Sequence, residues 1–261
     1  MIRSLYTAAT GMEAQQLKMD VISNNLANAS TTGFKKARAE FEDLLTDSLR
    51  SAEAPQPNGN TRPSPLEVGL GVRTGSTQRS FGQGDMINTN NPLDVAIEGQ
   101  GFLRVVRSNG ELGYTRAGNF RVDADNRLVT QAGELVDPAI TLPAQTTTVS
   151  VRQDGTVLAE VQGRNEPIEV GQLELTLFAN PSGLQALGGN LFAATPASGT
   201  ALNVRPGEQG SGALRQGFLE SANVKAVEEM IDMISTQRAY ELNSKVIQTA
   251  DQMLQRLTNL R

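Results

Sequence analysis

The chain has 261 residues, with 23 basic and 28 acidic side chains, a net charge of −5, and neither cysteine nor histidine. These counts exclude a disulfide framework, a thiolate metal site and a Ser-His-Asp triad, and the evenly mixed charges argue against a nucleic-acid-binding face. The sequence has no apolar run of about 18 residues and no continuous apolar segment near its start, so we expect neither membrane insertion nor a cleaved secretory signal.

Residues 1–33 carry the pattern of an amphipathic helix. Large apolar residues recur there at seven-residue intervals, at Leu5, Met12, Met19 and Leu26. The stretch NNLANASTTGFKK (24–36) then interrupts the pattern with asparagines, small hydroxylated residues and Gly33, a residue suited to a turn. We therefore predict an N-terminal helical segment that ends by Gly33.

The central part of the chain changes from linker to β pattern. Residues 51–65, SAEAPQPNGNTRPSP, are rich in Pro, Gly, Asn and Ser, so we predict an irregular or mobile linker there. Short runs of β-forming residues follow, and the pairs Asn109-Gly110 and Asp154-Gly155 are typical of two-residue hairpin turns. Residues 71–215 are therefore predicted to form an antiparallel β body.

A second helical pattern closes the sequence. From Asn223 onward there is neither Pro nor Gly, and apolar residues recur at close to seven-residue spacing. They are Val227, Ile231, Ile234, Ala239, Leu242, Val246, Ala250, Met253, Leu257 and Leu260. We predict a C-terminal helical segment over 216–261, capped by Ser221 or Asn223, with Glu228 and Glu229 on its solvated side.

Together these segments predict an α+β fold, with a mainly β body and long α-helices at both ends. Because both helical stripes are close to heptad patterns, we expect the ends to form a composite coiled-coil domain, with each other and then with further copies. In the alternative, the stripes pack onto the β body as part of its core.

One arrangement of carboxylates suggests a metal site. Asp123, Asp125 and Glu134 have the spacing of an EF-hand loop, but Arg127 stands at a position that must ligate the cation. We predict a hairpin turn through Asp125 and Asn126 instead. Residue patterns alone therefore predict no catalytic, cofactor-binding or metal site, and favour a structural or interaction protein over an enzyme.

Four stretches carry a resemblance to a known family. They are NNLANASTTGFKK (24–36), DVAIEGQGFLRVV (94–106), YTRAGNF (114–120) and the long segment 221–257. All four are similar to motifs of the bacterial flagellar rod and hook proteins. The length of the chain and its segment 66–97 are most similar to those of distal rod subunits.

The resemblance implies a structural subunit that polymerises into a helical, tubular drive shaft and transmits torque from motor to hook. The terminal helices would form an inner coiled-coil tube, and residues 34–70 would leave it and contact neighbouring subunits. The implied partners are further copies, proximal rod subunits, hook subunits, the peptidoglycan and outer-membrane ring proteins, and the flagellar type III export apparatus. The rod would cross the periplasm to the outer membrane, after export without signal cleavage.

Two alternatives remain open at this point. One is a proximal rod or hook-like axial subunit of the same family. The other, of a different class, is a secreted oligomeric β-rich binding module.

The apolar pattern and the resemblance together assign self-assembly to both ends of the chain. Near the N-terminus the assigned residues are Leu5, Met12, Met19, Asn24, Asn25, Leu26, Asn28, Gly33 and Phe34. Near the C-terminus they are Ile231, Ile234, Gln237, Arg238, Tyr240, Val246, Met253 and Leu257.

Overall fold

The structure is a computed structural model that describes residues 2–50, 65–164 and 166–259. Their contacts divide the chain into two compact units. Unit 1 takes its described residues from Met1–Leu26, Ala37–Gln78 and Lys225–Arg261. Unit 2 takes its described residues from Ala27–Lys36 and Arg79–Val224. Long helices at both ends and antiparallel strands between them confirm the predicted α+β fold class.

Unit 1 contains both long helices. Helix α1 spans Ile2–Ala27 and helix α2 spans Ala226–Asn259. Helix α1 ends six residues before Gly33, which nevertheless has the positive φ of 70° expected of a turn residue. Helix α2 starts ten residues after position 216, because the residues before it form a strand and a loop.

Three strands occupy most of the described part of segment 34–70, which the resemblance predicts to be a linker, and a fourth follows it. They are β1 (Ala37–Asp43), β2 (Thr46–Arg50), β3 (Leu66–Gly69) and β4 (Val72–Arg79). Strand β1 pairs with β4, and β2 pairs antiparallel with β3. The run ARAEFED alternates charged residues with small or apolar ones, which is a strand pattern that the linker prediction overlooked. Residues 51–64 lie outside the described residues.

The described strands of unit 2 form one large sheet and several small ones. The large sheet contains β7 (Phe102–Val106), β8 (Leu112–Thr115), β9 (Arg121–Val122), β10 (Leu128–Val129), β11 (Leu135–Asp137), β15 (Leu175–Leu177), β16 (Gln185–Gly188), β17 (Leu191–Ala193) and β18 (Leu202–Val204). A three-stranded sheet contains β12 (Thr146–Val151), β13 (Thr156–Val161) and β14 (Ile168–Gln172). Two further pairs join β6 (Val95–Glu98) to β19 (Ala213–Gln216) and β5 (Met86–Asn88) to β20 (Phe218–Glu220). Strand β7 pairs antiparallel with β8, and β12 with β13, as the hairpin signals predict. Strand β7 also pairs antiparallel with β11.

The hairpin turns lie where the sequence predicts them, but their loops are one residue longer. Main-chain bonds from Arg107 to Glu111 and from Arg152 to Thr156 close three-residue loops. Gly110 and Gly155 each occupy the last loop position, with φ of 83° and 88°. A glycine in the left-handed region at that position is typical of three-residue hairpins, so the Gly signal is correct and the predicted loop length was not.

Two apolar clusters form the core of unit 2. The larger lies between the sheets and includes Val95, Ile97, Leu103, Val157 and Leu175. The smaller is aromatic, with Phe81, Phe102, Tyr114, Phe178 and Phe192 in edge-to-face contacts. Successive side chains of a strand point to opposite faces of the sheet. On β7, Phe102 therefore belongs to the aromatic cluster and Leu103 to the larger one.

Candidate self-assembly surfaces

Helices α1 and α2 contact each other in antiparallel orientation. Asn25 Nδ2 donates a hydrogen bond to Glu229 Oε2 at 3.1 Å. Two heptads away on each helix, a Cβ added to Gly11 would lie 3.0 Å from Asn243 Nδ2. Because the numbering rises along one helix as it falls along the other, the two helices run in opposite directions.

Polar and small side chains form this contact. Along α2, Glu229, Thr236 and Ala250 are buried and Asn243 is half-buried, in a row of seven-residue spacing. We call this row, with Gly11 and Asn25 of α1, the helix seam. A polar residue buried between two helices fixes their register.

Asn25 holds three groups at the end of the seam. Its Oδ1 accepts a hydrogen bond from the Ala37 N–H at 3.0 Å, and its Nδ2 donates to the Ala37 carbonyl at 2.9 Å as well as to Glu229. The side-chain amide of Asn25 therefore hydrogen-bonds both main-chain groups of Ala37, the first residue of β1, as a neighbouring strand would. Glu229 is only 6 % exposed, so the predicted solvated position is wrong for Glu229, although Glu228 is exposed.

A cluster of large aliphatic side chains covers the other side of α2. Val227, Met230, Ile231 and Ile234 are 70, 50, 60 and 51 % exposed. At about 100° per residue they lie more than a quarter turn away from the helix seam. We call these four residues the outer patch. Four such residues within eight positions form a concentrated apolar surface, of the kind that marks an interaction site.

The predicted assembly residues fall into three groups. Half-buried side chains are those of Leu5, Met12, Met19, Leu26 and Asn28. Exposed side chains are those of Asn24, Ile231, Ile234, Gln237, Arg238, Tyr240, Val246 and Met253. Buried residues are Asn25, Gly33 and Phe34. Leu257 belongs to α2, but its side chain lies outside the described part of the chain. The described assembly residues near the C-terminus are therefore exposed in a single copy, whereas Ala250 of the same apolar pattern is buried.

Residues 33–36 are held inside unit 2 rather than in a linker. The Gly33 N–H donates to the Glu220 carbonyl at 2.8 Å. Lys35 Nζ binds Glu220 Oε1 at 2.6 Å and the Gly82 carbonyl at 2.8 Å. Arg116 Nε binds the other oxygen of Glu220 at 2.8 Å. The Lys35 and Glu220 side chains are both 0 % exposed, so this cluster is fully buried.

Burial and the neighbouring charges shift the pKa values of Glu220 and Lys35. Burial alone would raise the pKa of Glu220, but the charges of Arg116 and Lys35, together with hydrogen bonds from Lys35 and the Gly84 N–H, hold it below its ordinary value of 4.5. Burial, and then the charge of Arg116, lower the pKa of Lys35, whereas Glu220 opposes this shift. Two cations therefore share one carboxylate, and Glu220 is the group on which both depend.

Phe34 and Gly33 fix the path of this segment. The Arg79 guanidinium lies 5.9 Å from the centre of the Phe34 ring and 5.7 Å from that of Phe192. Besides its positive φ, Gly33 has no room for a side chain, because a Cβ there would lie 2.8 Å from the Ala117 nitrogen. Glycine is therefore required at this turn for both reasons.

In the EF-hand-like stretch, the side chain of Arg127 pairs with two of the carboxylates that would have to ligate a cation. Arg127 Nη2 lies 3.0 Å from an oxygen of Asp123 and 2.8 Å from one of Asp125. Asn126 has a φ of 58°, which confirms the predicted turn. Among the described residues no group of three or more acidic residues could hold a metal ion. No described helix is long and apolar enough to cross a membrane.

Sequence reasoning missed Lys35, Arg116, Glu220, Asn223 and Glu229. Only Glu229 gave a usable signal, since its seven-residue spacing to Thr236, Asn243 and Ala250 is visible in the sequence. Asn223 does not cap α2 as predicted, because its side chain bonds to Lys36 and to two carbonyls of unit 2.

Comparisons with known proteins identify the family. The family model described as flagella basal body rod protein matches residues 5–35, the flagellar hook protein FlgE/F/G D1 domain matches 96–159, and the flagellar basal body rod FlgEFG protein C-terminal model matches 215–260. The flagellar basal-body rod protein FlgG of Borreliella burgdorferi is 48 % identical over 263 residues, covering 100 % of this chain and 99 % of the relative. FlgG of Caulobacter vibrioides is 47 % identical over 261 residues, with both chains covered completely. The chain belongs to the flagellar basal-body rod protein FlgG family.

Membership of the FlgG family confirms the predicted structural role in the flagellar rod. Rod and hook proteins of this kind assemble into the axial polymers of the flagellum, and the chain is a component of the basal body. A flagellar hook protein FlgE of Helicobacter mustelae is also similar, at 42 % identity, but over only 30 % of its own length. Because the role of the family is structural, the exposed surfaces and buried ion pairs of the chain are the features that bear on its function.

Proposed function

We propose that the chain is the distal rod subunit, and that its copies form a helical tube which transmits torque from motor to hook. The observation that carries this proposal is the outer patch on α2, exposed in a single copy of a rod-family chain. Burying apolar surface contributes about 25 cal/mol per Å², so four exposed aliphatic side chains favour association. The helix seam leaves this patch free because it uses the other side of the helix.

The occupant of the outer patch is a second copy of the same chain. Polymerisation is the shared property of the family, and a helical polymer presents each copy with an identical neighbour. The half-buried apolar residues of α1, among them Leu5, Met12 and Met19, supply a complementary apolar surface in that neighbour. The seam fixes the two helices of each copy, and the patch joins copies to each other.

The wider assembly follows from the position of a distal rod. Its partners are proximal rod subunits on one side, hook subunits on the other, and the peptidoglycan and outer-membrane rings around it. The chain reaches this place through the flagellar type III export apparatus and crosses the periplasm as part of the rod. It acts without catalysis and without a cofactor.

Electron microscopy with helical averaging, applied to polymers of the purified chain, tests the proposal. We expect a straight tube in which α2 lies in the inner wall and the outer patch is buried between copies. A curved tube would assign the chain to the hook-like alternative. A soluble oligomer with the outer patch facing solvent would overturn the proposal.

A further inference from the structure

The chain passes between the two units at four places, after Leu26, Lys36, Gln78 and Val224. Three of these passages, those after Lys36, Gln78 and Val224, are flanked by segments of unit 2 that are hydrogen-bonded to each other. Their segments are 33–36, 79–84 and 220–223. We call the bonded residues of these three segments, together with Arg116, the junction clasp. All of them belong to unit 2.

Asn223 joins the three passages through one side chain. Its Oδ1 accepts a hydrogen bond from the Lys36 N–H at 2.8 Å, and its Nδ2 donates to the carbonyls of Ser80 at 2.8 Å and Gly82 at 3.1 Å. The Ser80 N–H in turn donates to the Lys36 carbonyl at 2.9 Å. Each passage is therefore bonded to the other two within a few residues of the point where it leaves unit 2.

Glu220 joins the same three segments a second time, in the buried interior. One of its oxygens accepts from Lys35 Nζ and from the Gly84 N–H at 2.8 Å, and Lys35 also reaches the Gly82 carbonyl. Arg116 anchors the other oxygen to the body, and its Nη2 donates to the Gly99 carbonyl at 2.8 Å. Charge-assisted bonds of this kind are about twice as strong as neutral ones.

We propose that the junction clasp is the mechanical coupling of the subunit, which holds these three passages against being pulled out of unit 2. This inference rests on the proposed function, because a rotating shaft must carry force between the parts of each subunit. The covalent path for such force within one chain runs through the four passages. Cross-bonding three of them means that a pull on one is resisted by the anchorage of the others.

Force spectroscopy on the full-length monomer tests the clasp through Asn223→Ala. The chain has no cysteine, so single cysteines introduced at exposed positions give unique attachment points. Handles at Gln248 and Ser108 load the C-terminal passage, after Val224, and handles at Asp43 and Ser108 load the passages after Lys36 and Gln78. In both geometries we expect Asn223→Ala to shorten the lifetime of unit 2 at constant force on the order of tenfold, from the loss of three hydrogen bonds.

Two controls separate mechanical coupling from ordinary stability. Handles at Ser108 and Gln185 lie within unit 2 and load no passage, and there the lifetime should be unchanged by Asn223→Ala. Asn180→Ala removes a comparable side-chain bond, to the Ala197 carbonyl at 3.1 Å, and should leave all three geometries unchanged.

The outcomes are distinct for the clasp and for the proposed function. Equal shortening in all three geometries would show a general structural role and overturn the clasp, as would no shortening when a passage is loaded. Shortening through the C-terminal passage alone would also overturn it, because Asn223 would then not hold Lys36. Polymerisation of the wild-type chain, measured by sedimentation, tests the proposed function independently of these lifetimes.

Discussion

Lys35 and Glu220 are 185 residues apart in the sequence, yet their side chains form an ion pair of 2.6 Å with neither exposed to solvent. Glu220→Gln leaves Lys35 and Arg116 buried without a counter-charge, so we expect unit 2 to lose about 3–5 kcal/mol of unfolding free energy. Lys35→Met leaves Arg116 paired with Glu220 and should cost less. Urea unfolding of the full chain measures both losses.

The matched control for this pair is Glu98→Gln. Glu98 forms an exposed ion pair with Arg215 at 3.7 Å, and exposed pairs contribute less than about 1 kcal/mol. The same chemical change should therefore have little effect at position 98. A loss for Glu220→Gln no larger than that for Glu98→Gln would show that the buried cluster does not stabilise unit 2.

Glu220 should also make unit 2 sensitive to acid. Its folded pKa lies below the ordinary 4.5, so its ionised form contributes stability that is present above pH 4.5 and is lost as the pH falls through the folded pKa. We expect the unfolding free energy of unit 2 to fall across this acid range, and to fall less steeply in Glu220→Gln. Parallel pH curves for the two proteins would assign the acid sensitivity to other carboxylates.

The outer patch should control polymerisation without affecting the fold. Ile231→Asp and Ile234→Asp place a charge among the exposed aliphatic side chains, and a charge buried between copies costs several kcal/mol. We expect sedimentation and electron microscopy to show loss of polymer, while the circular dichroism of the monomer stays unchanged. Gln248→Asp, exposed on the same helix, is the control and should polymerise. Normal polymers from the Ile231 and Ile234 variants would show that the patch faces solvent in the rod.

The helix seam should stabilise unit 1 through Asn25. Asn25→Ala leaves the main-chain groups of Ala37 and the Glu229 carboxylate without this partner, at a cost of roughly 1–3 kcal/mol. Amide exchange along α1 should become faster in this variant than in Gln16→Ala, which changes an exposed residue of the same helix. Equal exchange rates in the two variants would mean that the seam does not depend on Asn25.

Local patterns predicted the helices and hairpins, because apolar periodicity and glycine turns depend on residues close in sequence. The same patterns could not predict the clasp. Lys35 belongs to a Gly-Phe-Lys-Lys run, which is typical of a solvent-exposed segment after a helix. Its partner Glu220 is distant in the sequence, and only folding brings the two side chains together. The predicted body, 71–215, therefore omitted both residues. Likewise, the seven-residue row assigns Glu229 to one side of α2, but nothing in the sequence indicates that Asn25 is its partner.

The two terminal helices should gain order when copies assemble. The helix seam joins them within one copy, but the outer patch of α2 stays exposed. Isolated helices in water depend mostly on burying an apolar face, and Gly11 with several β-branched residues lowers the intrinsic propensity of α1 further. We expect the helical signal in circular dichroism to rise when monomer converts to polymer at equal mass concentration.

The rates of trypsin cleavage in monomer and polymer show which part of the chain becomes ordered on assembly. Arg238 and Lys245 are exposed on α2, so both should be cut quickly in the monomer and slowly in the polymer, where helix formation and contact between copies protect them together. Arg152, exposed in a hairpin of unit 2, is the internal control and should be cut at similar rates in both states. A monomer already resistant at Arg238 and Lys245, with no rise in helical signal, would show that the seam alone orders the helices. Assembly would then join prefolded surfaces, and the outer patch would contribute its full apolar area to the affinity between copies, because no folding free energy would be spent at that step.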